Sequence, residues 1–301
     1  MHTKALPYVS LLSLFWGTNA VASRYGIGEF NPYLFITLRL SIAAVCFALI
    51  LLLVQGKFPT NVDLWKKAAL SGLLGVAIPL PTFILSLQYH SSGVATLYVT
   101  TMPVMLVIVA HFVLPDEKMT RNKAVGVALA LSGALFLALR GESGLADVGR
   151  ANPLGFILVM VGLVSEVFNT MFVRLKMRQT DPMQVTAIRL LTGAVVVFTV
   201  TLFLGDFSFA KVTRAGYFSV IYAALFGALA AQFLAFYIQR SFGATAFSLN
   251  SFIVPMVATV FGVLLLGEIV TWTLGVATLL IGSGLYLLNR KKPEPRGVGN
   301  V

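Results

Sequence analysis

The sequence predicts an all-α integral membrane protein, because of its composition, the spacing of its charged residues and a pattern that occurs twice. Of its 301 residues, 58% are hydrophobic and only 11% are charged, whereas about 25% of a typical soluble domain is charged. A soluble protein of this size cannot bury so much apolar surface. Composition therefore excludes a soluble enzyme, a disordered chain and a nucleic-acid-binding domain.

The charged residues leave ten apolar stretches, each close to the roughly 20 residues that a membrane-spanning helix needs. The third and fourth stretches share one run without charges, which a polar patch at residues 88–93 divides. The predicted spans are 4–24, 39–57, two within 68–115, 123–140, 153–173, 183–204, 215–239, 242–267 and 269–289. An even number of spans places both termini on the same side of the membrane.

The lysines and arginines predict which side that is. Fifteen of them accompany the termini and the even-numbered connections, and five lie on the other side. Because positive residues are enriched in cytoplasmic loops, we expect both termini in the cytoplasm.

The second half of the chain repeats the first at a distance of about 150 residues. The matching pairs are Asn19 with Asn169, Arg24 with Arg174, Pro32 with Pro182, Arg39 with Arg189, Gly93 with Gly243, Pro103 with Pro255, and Glu117 with Glu268. We predict two domains, 1–145 and 146–301, joined by the polar segment 140–150. Each copy holds five spans, so the second enters the membrane from the opposite face.

Inverted repeats are typical of secondary transporters, whose substrate site lies near mid-membrane between the halves. The competing interpretation is a duplication that only enlarged a structural bundle. A membrane enzyme acting on lipid would need clustered His, Asp or Ser at one interface, and the sequence has no such cluster. A receptor or scaffold is a third class, but no soluble domain is evident through which it would signal.

Several segments resemble the EamA family of the drug/metabolite transporter superfamily. They are Phe15-Trp16-Gly17-Thr18-Asn19 with Arg24, Pro32 and Arg39; Ser92-Gly93-Val94-Ala95 with Met102-Pro103-Val104; Gly243-Ala244-Thr245-Ala246 with Val254-Pro255-Met256; and Leu266-Gly267-Glu268 with Thr271 and Gly275. The resemblance implies ten transmembrane helices as two inverted five-helix repeats around a central cavity. It also implies a multi-pass protein of the bacterial inner membrane that exports small metabolites, with amino acids or their derivatives first. The alternative is an exporter of hydrophobic cationic drugs.

Glu166 is the first candidate for a functional residue. It lies near the middle of the predicted sixth span, where a carboxylate is costly and normally faces a cavity or a partner. It occupies the place that Trp16 holds in the first copy. Glu166 is interpreted as a proton-coupling group or as a contact for a substrate amine. The alternative is a protonated or hydrogen-bonded residue that only packs.

Arg39 and Arg189 each follow the proline of their span by seven residues. A guanidinium could bind a substrate carboxylate with two hydrogen bonds. The favoured interpretation is architectural, with the side chains snorkelling to the interface or capping a neighbouring helix.

The remaining site candidates are polar or aromatic residues within spans, which either line a cavity or bond one helix to another. Asn19 and Asn169 lie one turn from Trp16 and Glu166 on the same helix face. Tyr98 and Asn250 precede prolines, which free backbone carbonyls and bend helices. The full set adds Gln232 of the eighth span.

Two further patterns receive structural interpretations. Glu117 and Glu268 open the fifth and tenth spans, where each carboxylate complements its own helix dipole. Ala124, Ala128 and Ser132, with Gly275 and Ser283, predict close helix contacts.

No cofactor, metal site or catalytic motif is expected. The three histidines lie far apart, there is one cysteine, and no phosphate-binding loop or nucleophile triad is present. The expected partners are a small-molecule substrate, membrane lipid and, as coupling ion, protons.

Overall fold

The computed structural model describes residues 2–115, 117–210 and 212–289, and these form a bundle of helices. The α-helices are α1 (His2–Glu29), α2 (Pro32–Gln55), α3 (Val62–Gly72), α4 (Pro79–Ser86), α5 (Ser92–Val99), α6 (Met102–Val113), α7 (Arg121–Arg140), α8 (Pro153–Lys176), α9 (Pro182–Leu204), α10 (Arg214–Tyr222), α11 (Ala231–Phe247), α12 (Asn250–Leu266) and α13 (Trp272–Asn289). Two π-helical segments, π1 (Leu73–Ala77) and π2 (Ala223–Ala230), interrupt the third and eighth spans.

These helices give the ten predicted spans. Nine are long and apolar enough to cross a membrane within the described ranges, and the shorter apolar helix α12 is the tenth. The third span combines α3, π1 and α4, the fourth combines α5 and α6, and the eighth combines α10, π2 and the part of α11 before Gly243. The prediction of an all-α protein with ten transmembrane helices is therefore confirmed.

Several predicted boundaries were wrong. The second span begins at Pro32 rather than Arg39, because Asn31 caps the helix by accepting a hydrogen bond from the Tyr33 amide and proline is favoured in the first turn. Helix α11 breaks at Gly243, whose φ of 82° and ψ of 173° are not helical, so the eighth span ends there and the ninth begins within one residue of its predicted start at 242. Charge spacing alone could not locate the cap of the second span.

The helices of the two halves pack against each other, and two of the main contacts, α2 with α9 and α7 with α13, join counterparts in the repeat. The main contacts between halves join α2 to α9, α1 to α12, α4 to α8 and α7 to α13. Gly126 of α7 and Gly284 of α13 bring the backbones of the last pair together, since a Cβ atom at either glycine would overlap the other's carbonyl oxygen. Small residues allow such an approach where no hydrophobic force drives helix association.

The small residues predicted for close helix contacts were the wrong ones. Ala124, Ala128, Ser132, Gly275 and Ser283 are all exposed on the surface of the bundle. The buried residues of α7 fall on another face, which includes Gly126, Ala130 and Gly133. Small residues occur on both faces, so their spacing could not distinguish the lipid-facing side.

The segment between the halves packs against one end of the bundle, which we call the linker end. Glu142 and Ser143 are buried there. The Ser91 amide donates to the Ser143 carbonyl at 2.7 Å, and the Ile269 amide donates to the Gly144 carbonyl at 3.0 Å. The linker therefore ties the α4–α5 loop of the first half to the α12–α13 loop of the second.

Candidate functional site

Glu166, Asn169 and Arg189 form a polar cluster with the π1 segment. Glu166 lies near the middle of α8 and is half-buried, and Asn169 follows one turn later and is buried. Arg189 reaches the cluster from α9, where its Nη2 atom lies 3.5 Å from the Gly75 carbonyl of π1. An acid and a base on adjacent helices thus share one region of the bundle's interior.

The Asn169 amide lies between the two charged groups. In one orientation its Nδ2 atom donates to both Glu166 oxygens at 3.3 and 3.4 Å. In the other, Nδ2 donates to the Ser71 hydroxyl at 2.7 Å and Oδ1 accepts from Arg189 Nη2 at 3.2 Å. Among the described residues, no ion pair within 4 Å joins Glu166 to Arg189. The Asn169 amide can therefore bond to either charged group, and Glu166 and Arg189 do not neutralise each other by direct contact.

The π1 segment supplies the backbone groups of this cluster. A π turn leaves carbonyls without their usual i+4 partners. The Ser165 hydroxyl donates to the Leu74 carbonyl at 2.7 Å, next to the Gly75 carbonyl that faces Arg189. Gly75 is required here, because a Cβ atom would overlap Asn169 and Arg189. Ser71 and Ser165 were not predicted as site residues, since nothing in the sequence indicates the wide turn.

Arg39, the repeat mate of Arg189, has a different environment. Its side chain is 3% exposed and donates to the Ser23 hydroxyl at 3.0 Å. The favoured expectation that it snorkels to the interface was wrong, because its guanidinium turns inward toward α1. Ser23 lies within α1, so the guanidinium bonds one helix to another and does not cap a helix end.

The corresponding cluster of the first half contains Trp16, Asn19 and Asn250. Asn250 accepts a hydrogen bond from the Ser13 hydroxyl at 2.6 Å and donates to the Phe247 carbonyl. Trp16 contacts the Phe247 ring edge-on at 5.8 Å. Asn19 is buried against Gly227 of π2, as Asn169 is against Gly75 of π1. These contacts bond α1 to α12 and to the eighth span, and this cluster holds no carboxylate.

Tyr98 and Gln232 belong to neither cluster. Tyr98 is fully buried between the rings of His90 and Phe156, so it lines no open space in this conformation. Gln232 is exposed at the start of α11. Two cavities, of about 520 and 380 Å³, are lined by none of the nine sequence-predicted residues. The larger lies at the linker end beside Arg24 and Glu29.

His90, in the α4–α5 loop, is a buried residue that the sequence analysis left without a role. Its side chain is 2% exposed, and burial, together with the Arg24 charge, lowers its pKa to about 4. The unfolded chain binds a proton near pH 6.5. His90 therefore does not reduce the free energy of unfolding above pH 6.5. It reduces this free energy increasingly as the pH drops toward 4, because the unfolded state then binds more protons.

We expect His90→Gln to reduce this sensitivity to acid. The difference between pH 7 and pH 4 corresponds to about 3 kcal/mol. The measurement is the thermal midpoint of the purified protein in detergent across that range, for wild type and variant. Other acidic groups titrate equally in both proteins. Identical loss of stability in the two proteins would contradict the assignment to His90.

Glu268 and Glu117 lie in loops at opposite ends of the bundle, and neither caps its own helix as expected. Glu268 Oε1 accepts from the Ser92 amide and hydroxyl, both at 2.8 Å, and so binds the N-terminus of α5. Burial raises the pKa of Glu268, although Ser92 and Arg24 act in the opposite direction. Thr271 and Thr120 cap α13 and α7 instead.

A family model for EamA-like transporters matches the chain twice, over residues 3–139 and 153–290. The chain belongs to the EamA-like transporter family. Each match contains five spans, so this EamA-like transporter consists of two five-helix repeats of opposite orientation. The resemblance inferred from the sequence is confirmed.

Similar curated proteins match this chain over nearly their whole length. The uncharacterized transporter YoaV of Bacillus subtilis is 28% identical over 92% of this chain and 93% of its own. The uncharacterized inner membrane transporter YedA of Escherichia coli K12 is 28% identical over 93% of this chain and 91% of its own. A crystal structure at 19% identity superposes with a TM-score of 0.65 over 96% of this chain and 98% of that one, which supports the fold.

Proposed function

We propose that this EamA-like transporter is a secondary carrier that exports small amphipathic metabolites, amino acids or their derivatives first, with Glu166, Asn169 and Arg189 at its substrate site. The observation that carries the proposal is the pairing of a carboxylate and a guanidinium around one amide. An amino acid presents the complementary pair, an ammonium and a carboxylate. Charge-assisted hydrogen bonds to both groups would give recognition of the zwitterion.

The depth of the cluster supports this assignment over a structural role. Ionisable residues within transmembrane segments are costly and mark substrate or ion pathways. Glu166 is half-buried rather than sealed, and among the described residues its side chain accepts hydrogen bonds only from the Asn169 amide, in one of that amide's two orientations. A substrate amine or a proton would complete its interactions, which is the arrangement that proton-coupled exchange requires.

Arg189 argues against the alternative, an exporter of hydrophobic cations. Its positive charge shares the cluster with Glu166, and like charges at close range disfavour a second cation there. A hydrophobic cation would be repelled less at the equivalent place in the first half, where Arg39 turns away toward Ser23. That place, however, holds Trp16 and has no carboxylate to pair with the cation.

The topology of the proposed carrier follows from the lysines and arginines. With both termini in the cytoplasm, the linker end faces away from the cytoplasm. The proposed location is the bacterial inner membrane, with residues 1–145 and 146–301 as the two domains. Since inverted repeats permit alternating access, gradients rather than nucleotide hydrolysis would drive export.

The test is transport of a panel of labelled amino acids into everted vesicles, with wild type, Glu166→Gln, Arg189→Gln and the exposed control Asp147→Asn. We expect Glu166→Gln to lower uptake at least tenfold and to remove its pH dependence, because loss of a charged hydrogen bond costs about 1.5–3 kcal/mol. Arg189→Gln should weaken binding of amino acids more than of amines that lack a carboxylate. Asp147→Asn should transport like wild type.

Two results would decide against the proposal. Wild-type rate and pH profile in Glu166→Gln would remove Glu166 from the site. Competition by hydrophobic cations, with none by amino acids, would favour the drug exporter instead.

A further inference from the structure

Two ion pairs at opposite ends of the bundle are related by the inverted repeat. At the linker end, Arg24 of the first repeat lies 3.5 Å from Glu268 of the second. At the opposite end, Arg174 of the second repeat lies 2.6 Å from Glu117 of the first. Arg24 matches Arg174 and Glu117 matches Glu268 in the repeat. Each pair therefore joins one repeat to the other, and the symmetry that relates the two repeats also relates the two ion pairs.

The pair at the linker end is closed. The Glu268 side chain is 3% exposed and that of Arg24 is 22% exposed. Besides its partner, Glu268 holds the Ser92 amide and hydroxyl, and the Arg24 guanidinium also donates to the Leu87 carbonyl. The carboxylate thus draws together α1, the α4–α5 loop and the α12–α13 loop, and a negative charge at the N-terminus of α5 is favourable.

The ion pair at the opposite end is more exposed to solvent. The side chains of Arg174 and Glu117 are 49% and 36% exposed. Among the described residues, Glu117 has no side-chain hydrogen bond to a helix N-terminus of the kind that Glu268 makes to α5. The repeat counterpart of the α5 N-terminus is the segment that begins at Gly243, where α11 is interrupted.

We infer that Glu268 and Glu117 are the gate residues of the carrier, each closing one end by binding the other repeat's arginine and its own end's short helix. In inverted-repeat carriers the two access states arise by exchanging the conformations of the repeats. In the present structure the gate at the linker end has both its ion pair and its bonds to α5, whereas the gate at the opposite end has only its ion pair. In the other state Glu117 becomes buried against Arg174 and the segment starting at Gly243, while Glu268 is released.

This inference rests on the proposed carrier function, but its test needs no substrate. Cys46 is replaced by serine, and a single cysteine is placed one turn inside each gate, at Ala20 or at its repeat mate Thr170. Ala20 is 1% exposed, whereas Thr170 is half-buried. Rates of reaction with a membrane-impermeant maleimide are measured in right-side-out and inside-out vesicles.

We expect Glu268→Gln to raise the labelling rate at position 20 about tenfold and to lower the rate at position 170, because breaking a buried ion pair shifts the equilibrium away from the shut state. Glu117→Gln should do the reverse, lowering the rate at position 20. Arg24→Gln is the second variant at the linker end, since it breaks the ion pair while Glu268 keeps its bonds to Ser92.

Reciprocal changes at the two positions support the gates, even if no amino acid proves to be a substrate. Equal rises at both positions would indicate a loosened fold, and unchanged rates in Glu268→Gln and Arg24→Gln would indicate an ion pair without a gating role. Either of these outcomes overturns the inference. Reciprocal labelling without amino-acid transport would overturn only the proposed substrate class.

Discussion

Replacing Gly126 with leucine is expected to separate α7 from α13 and to abolish recovery of folded protein. A Cβ atom at Gly126 would lie 2.7 Å from the Gly284 carbonyl oxygen, which is backbone and cannot rotate away. Overpacking a close contact costs about 1–3 kcal/mol, and more where backbone must move. The measurement is the monodisperse fraction and thermal midpoint of the detergent-solubilised protein by size-exclusion chromatography.

Gly275→Leu is the matched control for that experiment. Gly275 lies in α13, the helix that α7 contacts at Gly126, but a Cβ atom at Gly275 meets no atom within 4 Å. Both changes replace glycine by leucine within a helix, so helix propensity contributes alike. If Gly126→Leu eluted and melted as Gly275→Leu does, the close approach of α7 and α13 would be refuted.

A single methyl group at Gly75 is expected to abolish most transport while leaving the protein folded. The added Cβ atom of Gly75→Ala would overlap the ends of the Asn169 and Arg189 side chains, which can rotate aside without moving backbone. Losing the hydrogen bond from Arg189 and the position of the Asn169 amide should lower uptake about tenfold or more. Uptake in vesicles and the thermal midpoint are measured on the same preparations.

Gly227→Ala tests whether the effect is specific to the charged cluster. Gly227 of π2 contacts Asn19 as Gly75 contacts Asn169, but no carboxylate lies beside it. We expect Gly227→Ala to reduce the rate less and to leave the pH profile of uptake unchanged. If Gly75→Ala and Gly227→Ala changed the pH profile of uptake equally, the effect of Gly75→Ala would not depend on Glu166, which would count against the proposed site.

Hydropathy and charge predicted the ten spans, because the membrane imposes a length on every apolar stretch. Matching residues about 150 positions apart predicted the two repeats. The pairing of Glu166 with Asn169 was also predictable, since residues three positions apart on a helix share a face. The contribution of Arg189 to the same cluster depends on how α9 is rotated against α8. Nothing local in the sequence determines that rotation.

Contacts between distant elements account for what the sequence did not reveal. Glu268 lies four residues before α13, and its carboxylate would cap that helix in isolation; it binds α5 only because the repeats meet at the linker end. Tyr98 precedes Pro103, which suggested a place in a cavity, but its ring is buried against His90 of the α4–α5 loop. Such choices are made by tertiary contacts rather than by spacing.

The wide helical turns of π1 and π2 start at matching places, Leu73 and Ala223, in the third span of each half. A π turn is an insertion into an α-helix that costs stability and seldom arises twice at one place by chance. The matching turns place one widened helix in each half, and Glu166 of the second half sets a carboxylate beside π1, whereas the first half has Trp16 at the position equivalent to Glu166.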